Sequence, residues 1–84
     1  MPQPTFLKEL NLGQLDAQGL KCPLPVLRVR KYIKTIEIGE ELKVLVTDPS
    51  APKDFKLFCE QSGQEFVRTS QDGEVINIIL RRIK

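Results

Sequence analysis

Cys22 stands where a helical sequence pattern begins, and it is the residue best placed for chemistry. Pro23 and Pro25 follow in the first predicted helical turn, where proline is accepted because its missing N–H would have no partner. The N–H groups that remain at a helix start, and the positive end of the helix dipole, favour a nearby anion. A helix start lowers the pKa of a thiol from its usual value of about 8.5, and Lys21 and Arg28 would add to this effect. The sequence predicts a nucleophilic thiol, although a half-buried structural cysteine would give the same local pattern.

The composition limits the chemistry that this thiol could perform. The chain has no histidine, which excludes cysteine hydrolases that use an imidazole as the base. Its two cysteines cannot complete the four tetrahedral ligands of a zinc site, so we predict no metal and no cofactor. Two cysteines also form one disulfide at most, whereas small secreted domains that depend on disulfides usually carry several.

The second cysteine, Cys59, lies in a different sequence pattern from that of Cys22. It shares the apolar face of a predicted helix with Phe55 and Phe58, at the spacing i, i+3, i+4. This pattern predicts a structural cysteine in the core, where thiols are inert. The alternative is a resolving thiol or a second sulfur site.

The size and the charge indicate one small domain. A chain of 84 residues has no room for a deep active-site cavity beside a separate core. No apolar run approaches the roughly 18 residues of a membrane span, and residues 1–8 lack the basic and apolar stretches of a secretion signal. The net charge of +2 does not indicate a nucleic-acid-binding surface. We interpret the chain as cytoplasmic.

Apolar periodicity and turn signals predict six elements in the order β-α-β-α-β-β. They are a strand over 10–17 with a slip near Gly13, a helix over 23–36, a strand over 41–47, a helix over 53–62 ended by Gly63, and two strands over 65–71 and 74–82 joined at Asp72-Gly73. We predict an α+β fold, a two-layer βαβαββ sandwich in which a four-stranded mixed sheet carries both helices on one face. Residues 10–84 would form a single domain and residues 1–9 a flexible N-terminal segment.

Apolar side chains on the exposed side of the first helix predict a docking surface for partner proteins. Leu27 falls on its basic face, among residues such as Arg30, and Leu24 lies close by. Lys21 and Asp48 are expected at its border, since loops that follow neighbouring strands tend to lie at one end of the sheet. The alternative is a pair of scattered surface leucines, which need no explanation.

The stretch Leu-Asp-Ala-Gln-Gly-Leu-Lys-Cys-Pro-Leu-Pro, residues 15–25, resembles the signature of the TusA/SirA family. The similarity continues through residues 26–31, Gly39-Glu40, Thr47-Asp48-Pro49 and 54–63. The resemblance implies a two-layer βαβαββ fold and a cysteine that accepts sulfur as a persulfide from a cysteine desulfurase or a rhodanese-like donor. That cysteine then passes the sulfur to a downstream acceptor protein.

Carried over residue by residue, the sulfur-bearing role falls on Cys22, with Pro23 and Pro25 shaping the site. The family serves tRNA thiolation, molybdenum cofactor synthesis and sulfur oxidation. Members of the tRNA thiolation relay can carry glutamate where this chain has Leu24. This departure leaves the pathway open.

The sequence thus favours a sulfur carrier that resembles a sulfurtransferase, without turnover of a small-molecule substrate of its own. An RNA- or protein-binding regulatory module that uses the basic face of the first helix is the alternative function. A redox sensor that uses both cysteines is the third hypothesis.

Overall fold

The computed structural model describes residues 14–84 as alternating strands and helices. They are β1 (Gln14–Asp16), α1 (Leu24–Tyr32) with a 3-10 turn (Ile33–Thr35), β2 (Glu41–Val46), α2 (Ala51–Ser62), β3 (Glu65–Asp72) and β4 (Val75–Arg81). The predicted strand over 10–17 is described only from Gln14 onward. The predicted flexible segment over 1–9 lies outside the described residues.

The strands form one mixed sheet in the order β1-β2-β4-β3. β1 and β2 run parallel, with α1 in the connection between them, whereas β4 is antiparallel to both β2 and β3. The turn at Asp72-Gly73 joins β3 and β4 as predicted. The predicted α+β fold is confirmed.

One face of the sheet is buried beneath both helices. Side chains alternate between buried and more exposed positions along β2 and β4, as expected of strands with one covered face. The core combines that face with the helices, and its largest fully buried side chains include Phe55, Leu42, Ile78, Leu80, Val29 and Val44. Apolar burial of this kind is the main favourable term in folding.

The helix boundaries differ from the prediction by a few residues. α1 begins at Leu24, one residue later than predicted, and Pro23 is its N-cap with a φ of −99°. After Tyr32 the backbone tightens into the 3-10 turn, where the Thr35 hydroxyl donates to the Tyr32 carbonyl at 2.6 Å. α2 begins at Ala51, two residues earlier than predicted, because Pro52 fits into its first turn.

The end of α2 is as predicted. Gly63 is its C-cap in a left-handed conformation, with a φ of +81°. Its N–H donates to the carbonyl of Cys59 at 2.9 Å. Within residues 14–84, no helix has the length and apolar character needed to cross a membrane.

The parallel pairing of β1 and β2 brings the loops that follow these strands together. The Ala17 N–H donates to the Leu45 carbonyl at 2.8 Å, which extends the pairing beyond β1. The Gly19 N–H then donates to the Thr47 hydroxyl at 3.0 Å. Both loops lead directly into helix starts, so residues from two separate parts of the sequence meet at one edge of the sheet.

Candidate functional site

Cys22 is exposed at the end of the β1–α1 loop, one residue ahead of the N-cap of α1. Its N–H donates to Oδ2 of Asp48, in the β2–α2 loop, at 2.9 Å. Pro25 is fully buried and anchors the first turn of α1 in the core, whereas Pro23 is exposed beside the thiol. The two prolines therefore hold the cysteine at the surface from a fixed helix start.

Asp48 fixes the geometry of this edge. Its Oδ1 accepts hydrogen bonds from the Ser50 N–H at 3.0 Å and the Ser50 hydroxyl at 2.9 Å, and its Oδ2 accepts from Cys22. Bonds from the Ser50 and Cys22 backbone lower the pKa of Asp48, with a smaller contribution from the charge of Lys21. Asp48 therefore stays ionised near neutral pH and ties the Cys22 loop to the start of α2. Asp48 therefore contacts the Cys22 backbone directly, whereas its place at the border of the docking surface stays a prediction.

The predicted lowering of the pKa of Cys22 is wrong. The Asp54 carboxylate raises this pKa, because the thiol can donate its proton to the carboxylate and because the carboxylate repels the thiolate. Desolvation and the charge of Asp48 act in the same direction. The resting site therefore favours the thiol over the thiolate.

The start of α1 has little to offset these carboxylates. Pro23 and Pro25 have no N–H, and the N–H of Leu24 donates to the Lys21 carbonyl at 2.8 Å. A lowered pKa would require helix N–H groups turned toward the sulfur, and these three residues do not supply them. The effect of Asp54 was not predicted from the sequence, although its place in the first turn of α2 was the signal that could have found it.

Replacing Asp54 with asparagine is expected to make Cys22 more reactive at neutral pH. The substitution removes the main cause of the raised pKa, so the pKa falls and the thiolate fraction at fixed pH increases. For each unit of decrease the thiolate becomes up to tenfold more abundant and about threefold less nucleophilic, a net gain of roughly threefold. The measurement is the rate of alkylation by iodoacetamide as a function of pH.

Glu60→Gln provides the matched control for that experiment. It removes one negative charge from the same helix, and Glu60 is not among the groups that shift the pKa of Cys22. We expect its rate profile to match that of the unmodified protein. An Asp54→Asn profile displaced to higher pH, or equal to the control, would contradict the assignment.

Cys59 is buried in α2, as predicted, with 4% of its surface exposed. Burial raises the pKa of its thiol to about 11. Both cysteines are free. A thiol that is shielded and almost fully protonated is a poor nucleophile, which fits the structural role expected from its neighbours Phe55 and Phe58.

A shallow depression beside Cys22 opens between the two helices. It has a volume of about 170 Å³ and is lined by Cys22, Pro23, Val26, Arg30, Asp54, Leu57, Phe58 and Gln61. Leu57 is 53% exposed. A sulfur atom on Cys22 is therefore accessible from solvent and has an apolar wall beside it.

The structure separates the predicted docking residues into three groups. Leu24 and Leu27, each 48% exposed, share a depression with Arg28 and Lys31 on the outer side of α1. Arg30 lies on the side that faces α2, where its guanidinium carbon is 5.5 Å from the centroid of the Phe58 ring. Lys21 is exposed and lines a third depression together with Asp48.

A model of the family described as Sulfurtransferase TusA matches residues 13–82. The chain belongs to the TusA family. The resemblance to the TusA/SirA family is thereby confirmed. The matched range includes Cys22 and every other residue of the candidate site.

Curated relatives of this TusA-family chain are named as sulfur carriers. It is 38% identical over 69 residues to the sulfur carrier protein TusA of Allochromatium vinosum, covering 82% of this chain and 91% of the relative. It is 40% identical over 72 residues to a putative sulfur carrier protein of Neisseria meningitidis, covering 86% and 97%. These names support a sulfur-carrier role.

A solved structure confirms the family fold. The SirA-like protein of Desulfitobacterium hafniense superposes with a TM-score of 0.74 at 26% identity, covering 87% of the TusA-family chain and all of the other. Among the described residues, no three His, Cys, Asp or Glu side chains cluster in a way that could hold a metal ion.

Proposed function

We propose that this protein carries sulfur as a persulfide on Cys22 and passes it to a partner protein. The observation that carries the proposal is an exposed thiol at a fixed helix start, inside the segment matched by the TusA family. The second cysteine is shielded by the core, so the two thiols differ in access. Access and thiolate fraction govern the rate of exchange at sulfur.

The loading step moves one sulfur atom between two thiols. The Cys22 thiolate attacks the terminal sulfur of a persulfide on a donor cysteine and forms a new S–S bond. The donor S–S bond breaks, and its cysteine leaves as a thiolate that takes up the proton released by Cys22. In the unloading step an acceptor thiolate attacks the terminal sulfur on Cys22, and Cys22 leaves as a thiolate. Neither step needs an external oxidant or reductant.

The partners in this proposal are proteins on both sides of the relay. A cysteine desulfurase or a rhodanese-like protein supplies the sulfur, and a downstream protein accepts it. Exposed apolar and basic side chains around Cys22 (Lys21, Leu24, Leu27 and Arg30) provide contact surface for them. The protein acts as a carrier that is loaded and unloaded once per transfer. The cytoplasmic location stays a prediction.

Sulfur loading of the unmodified protein tests the proposal. The protein is incubated with a cysteine desulfurase and cysteine, and its intact mass is measured under non-reducing conditions. We expect the gain of one sulfur atom, which a thiol reductant removes. Peptide mapping should place that sulfur on Cys22, and a persulfide found on Cys59 alone would overturn the assignment.

A further inference from the structure

The groove between α1 and α2 extends beyond Cys22 and changes its electrostatic character along its length. Another depression, not described above and of about 240 Å³, adjoins the one at Cys22. Its lining residues are Arg30, Ile33, Lys34, Phe58, Ser62, Gln64, Arg82 and Lys84. Arg30 and Phe58 line both depressions, so their stacked pair forms the middle of one continuous α1/α2 groove.

The far end of the α1/α2 groove is strongly basic. Arg30, Lys34, Arg82 and Lys84 line it, and none of the described residues lining that end is acidic. The Arg82 guanidinium is held in place by a backbone carbonyl oxygen: Nη1 donates to the Ile36 carbonyl at 2.6 Å. This neutral oxygen orients the cation without cancelling its charge.

The near end of the groove has the opposite character. Asp54 lines the depression beside Cys22, and Asp48 holds the Cys22 backbone. Val26, Leu57 and Phe58 form an apolar floor in this same depression, and Phe58 continues it into the basic end. An elongated ligand that fits this groove is therefore uncharged near the thiol, apolar along its middle and anionic at its far end.

The distance between the two ends sets the length of that ligand. Cys22 lies just ahead of α1 and Lys34 in the 3-10 turn after it, and a rise of about 1.5 Å per residue puts them roughly 18 Å apart in the direction of the helix axis. An extended peptide covers this distance in about five or six residues, and the shorter distance to Arg30 in about four.

We propose that the α1/α2 groove binds an extended segment of a partner protein with acidic side chains about four to six residues from its sulfur-bearing cysteine. The position of that cysteine opposite Cys22 rests on the proposed function. Charge complementarity at the far end supplies recognition, and the distance between the two ends sets the spacing. An RNA strand fits less well, because its continuous phosphates would lie against Asp54 and the apolar floor.

Labelled peptides test the proposal without any sulfur transfer. Each fluorescein-labelled probe contains one S-methylated cysteine and three glutamates. In one set the glutamates are next to the cysteine, and in the other they are four to six positions away from it. Each set is made with the cysteine at the N-terminal end and with the cysteine at the C-terminal end. Matched probes carry glutamine in place of glutamate. Fluorescence anisotropy at low salt should show that one distant-glutamate probe binds roughly tenfold more tightly than its glutamine counterpart, as expected for two or three exposed ion pairs. Probes with adjacent glutamates should show no such gain.

Two charge reversals provide a matched comparison of probe binding. Both replace an exposed lysine, and the two lysines are close in sequence. Lys34→Glu changes the basic end of the groove, whereas Lys31→Glu changes the outer side of α1 beside Leu27. We expect Lys34→Glu to weaken binding of the distant-glutamate probe roughly fivefold and Lys31→Glu less than twofold. Equal effects of the two reversals, equal binding of all acidic probes, or preference for single-stranded RNA over every peptide would overturn the proposal.

Sulfur loading of the unmodified protein, measured beside its binding of the probes, separates this proposal from the proposed function. Loading that fails while the distant-glutamate probe still binds rejects the persulfide role and leaves the groove assignment standing. Loading that proceeds while no acidic probe is preferred rejects the groove assignment alone.

Discussion

Replacing Cys22 with serine is expected to abolish sulfur loading completely, because the serine hydroxyl at this site has no acidity that would make it a nucleophile toward sulfur. The backbone N–H that donates to Asp48 is kept by the substitution, so the loop geometry should persist. The fold should also be unaffected, since the side chain is exposed. Intact mass after incubation with a desulfurase and cysteine gives the result.

Cys59→Ala is the control for that loss. Like Cys22→Ser, it removes one cysteine thiol, but this thiol is buried. Burial raises the pKa of that thiol to about 11. We expect full sulfur loading together with a loss of stability of about 1 kcal/mol from the missing core contacts. If Cys59→Ala also abolished loading while remaining folded, the two cysteines would act as a pair and a carrier with one active thiol would be the wrong description.

Replacing Phe55 with alanine is expected to produce the largest loss of stability of any substitution discussed. The Phe55 side chain is completely buried in α2 against the sheet. Truncations of phenylalanine to alanine in cores cost about 3–5 kcal/mol, and small domains have total stabilities of about 5–15 kcal/mol. The free energy of unfolding, taken from urea denaturation, measures the effect.

Leu57→Ala is the control, and it shows whether the loss of stability comes from the burial of Phe55 or from any truncation of a side chain in α2. Leu57 lies two residues further along α2 and is 53% exposed. Its truncation should cost roughly 0.5 kcal/mol, the usual size of a surface effect. Similar losses from the two substitutions would mean that the core does not centre on Phe55.

The order of the elements could be predicted because each one leaves a local pattern. Along β4 every second residue is buried, and the sequence alternates accordingly. The Asp72-Gly73 turn and the glycine after α2 carry their own backbone signatures. The fold class needed no information beyond these local features and the rules of sheet topology.

The electrostatics of the site could not be predicted in the same way. Cys22 lies in the loop before α1 and Asp54 lies in α2, and their interaction exists only once both helices pack on the sheet. The local pattern around Cys22 contains only the helix start, whereas the carboxylate that dominates its pKa comes from a distant part of the sequence. The position of Cys22 at a helix start, in contrast, was a local property and was predicted correctly.

The placement of the candidate docking residues could be predicted only in part, for the same reason. The exposure of Leu24 and Leu27 follows from helical periodicity alone. The contact of Arg30 with the Phe58 ring depends on how α1 and α2 meet, and periodicity contains no information about that. The α1/α2 groove is thus a tertiary feature with no sequence signature of its own.

The division between an exposed thiol and a core beneath it affects how such a protein can evolve. Cys22 is joined to the interior through the buried Pro25, whereas Leu24, Leu27 and Lys31 sit outside the core. Substitutions at such exposed positions usually change stability by no more than about 0.5 kcal/mol. Substitutions on the outer face of α1 can therefore accumulate at little cost in stability, so this face is free to vary among related proteins while the buried core stays fixed.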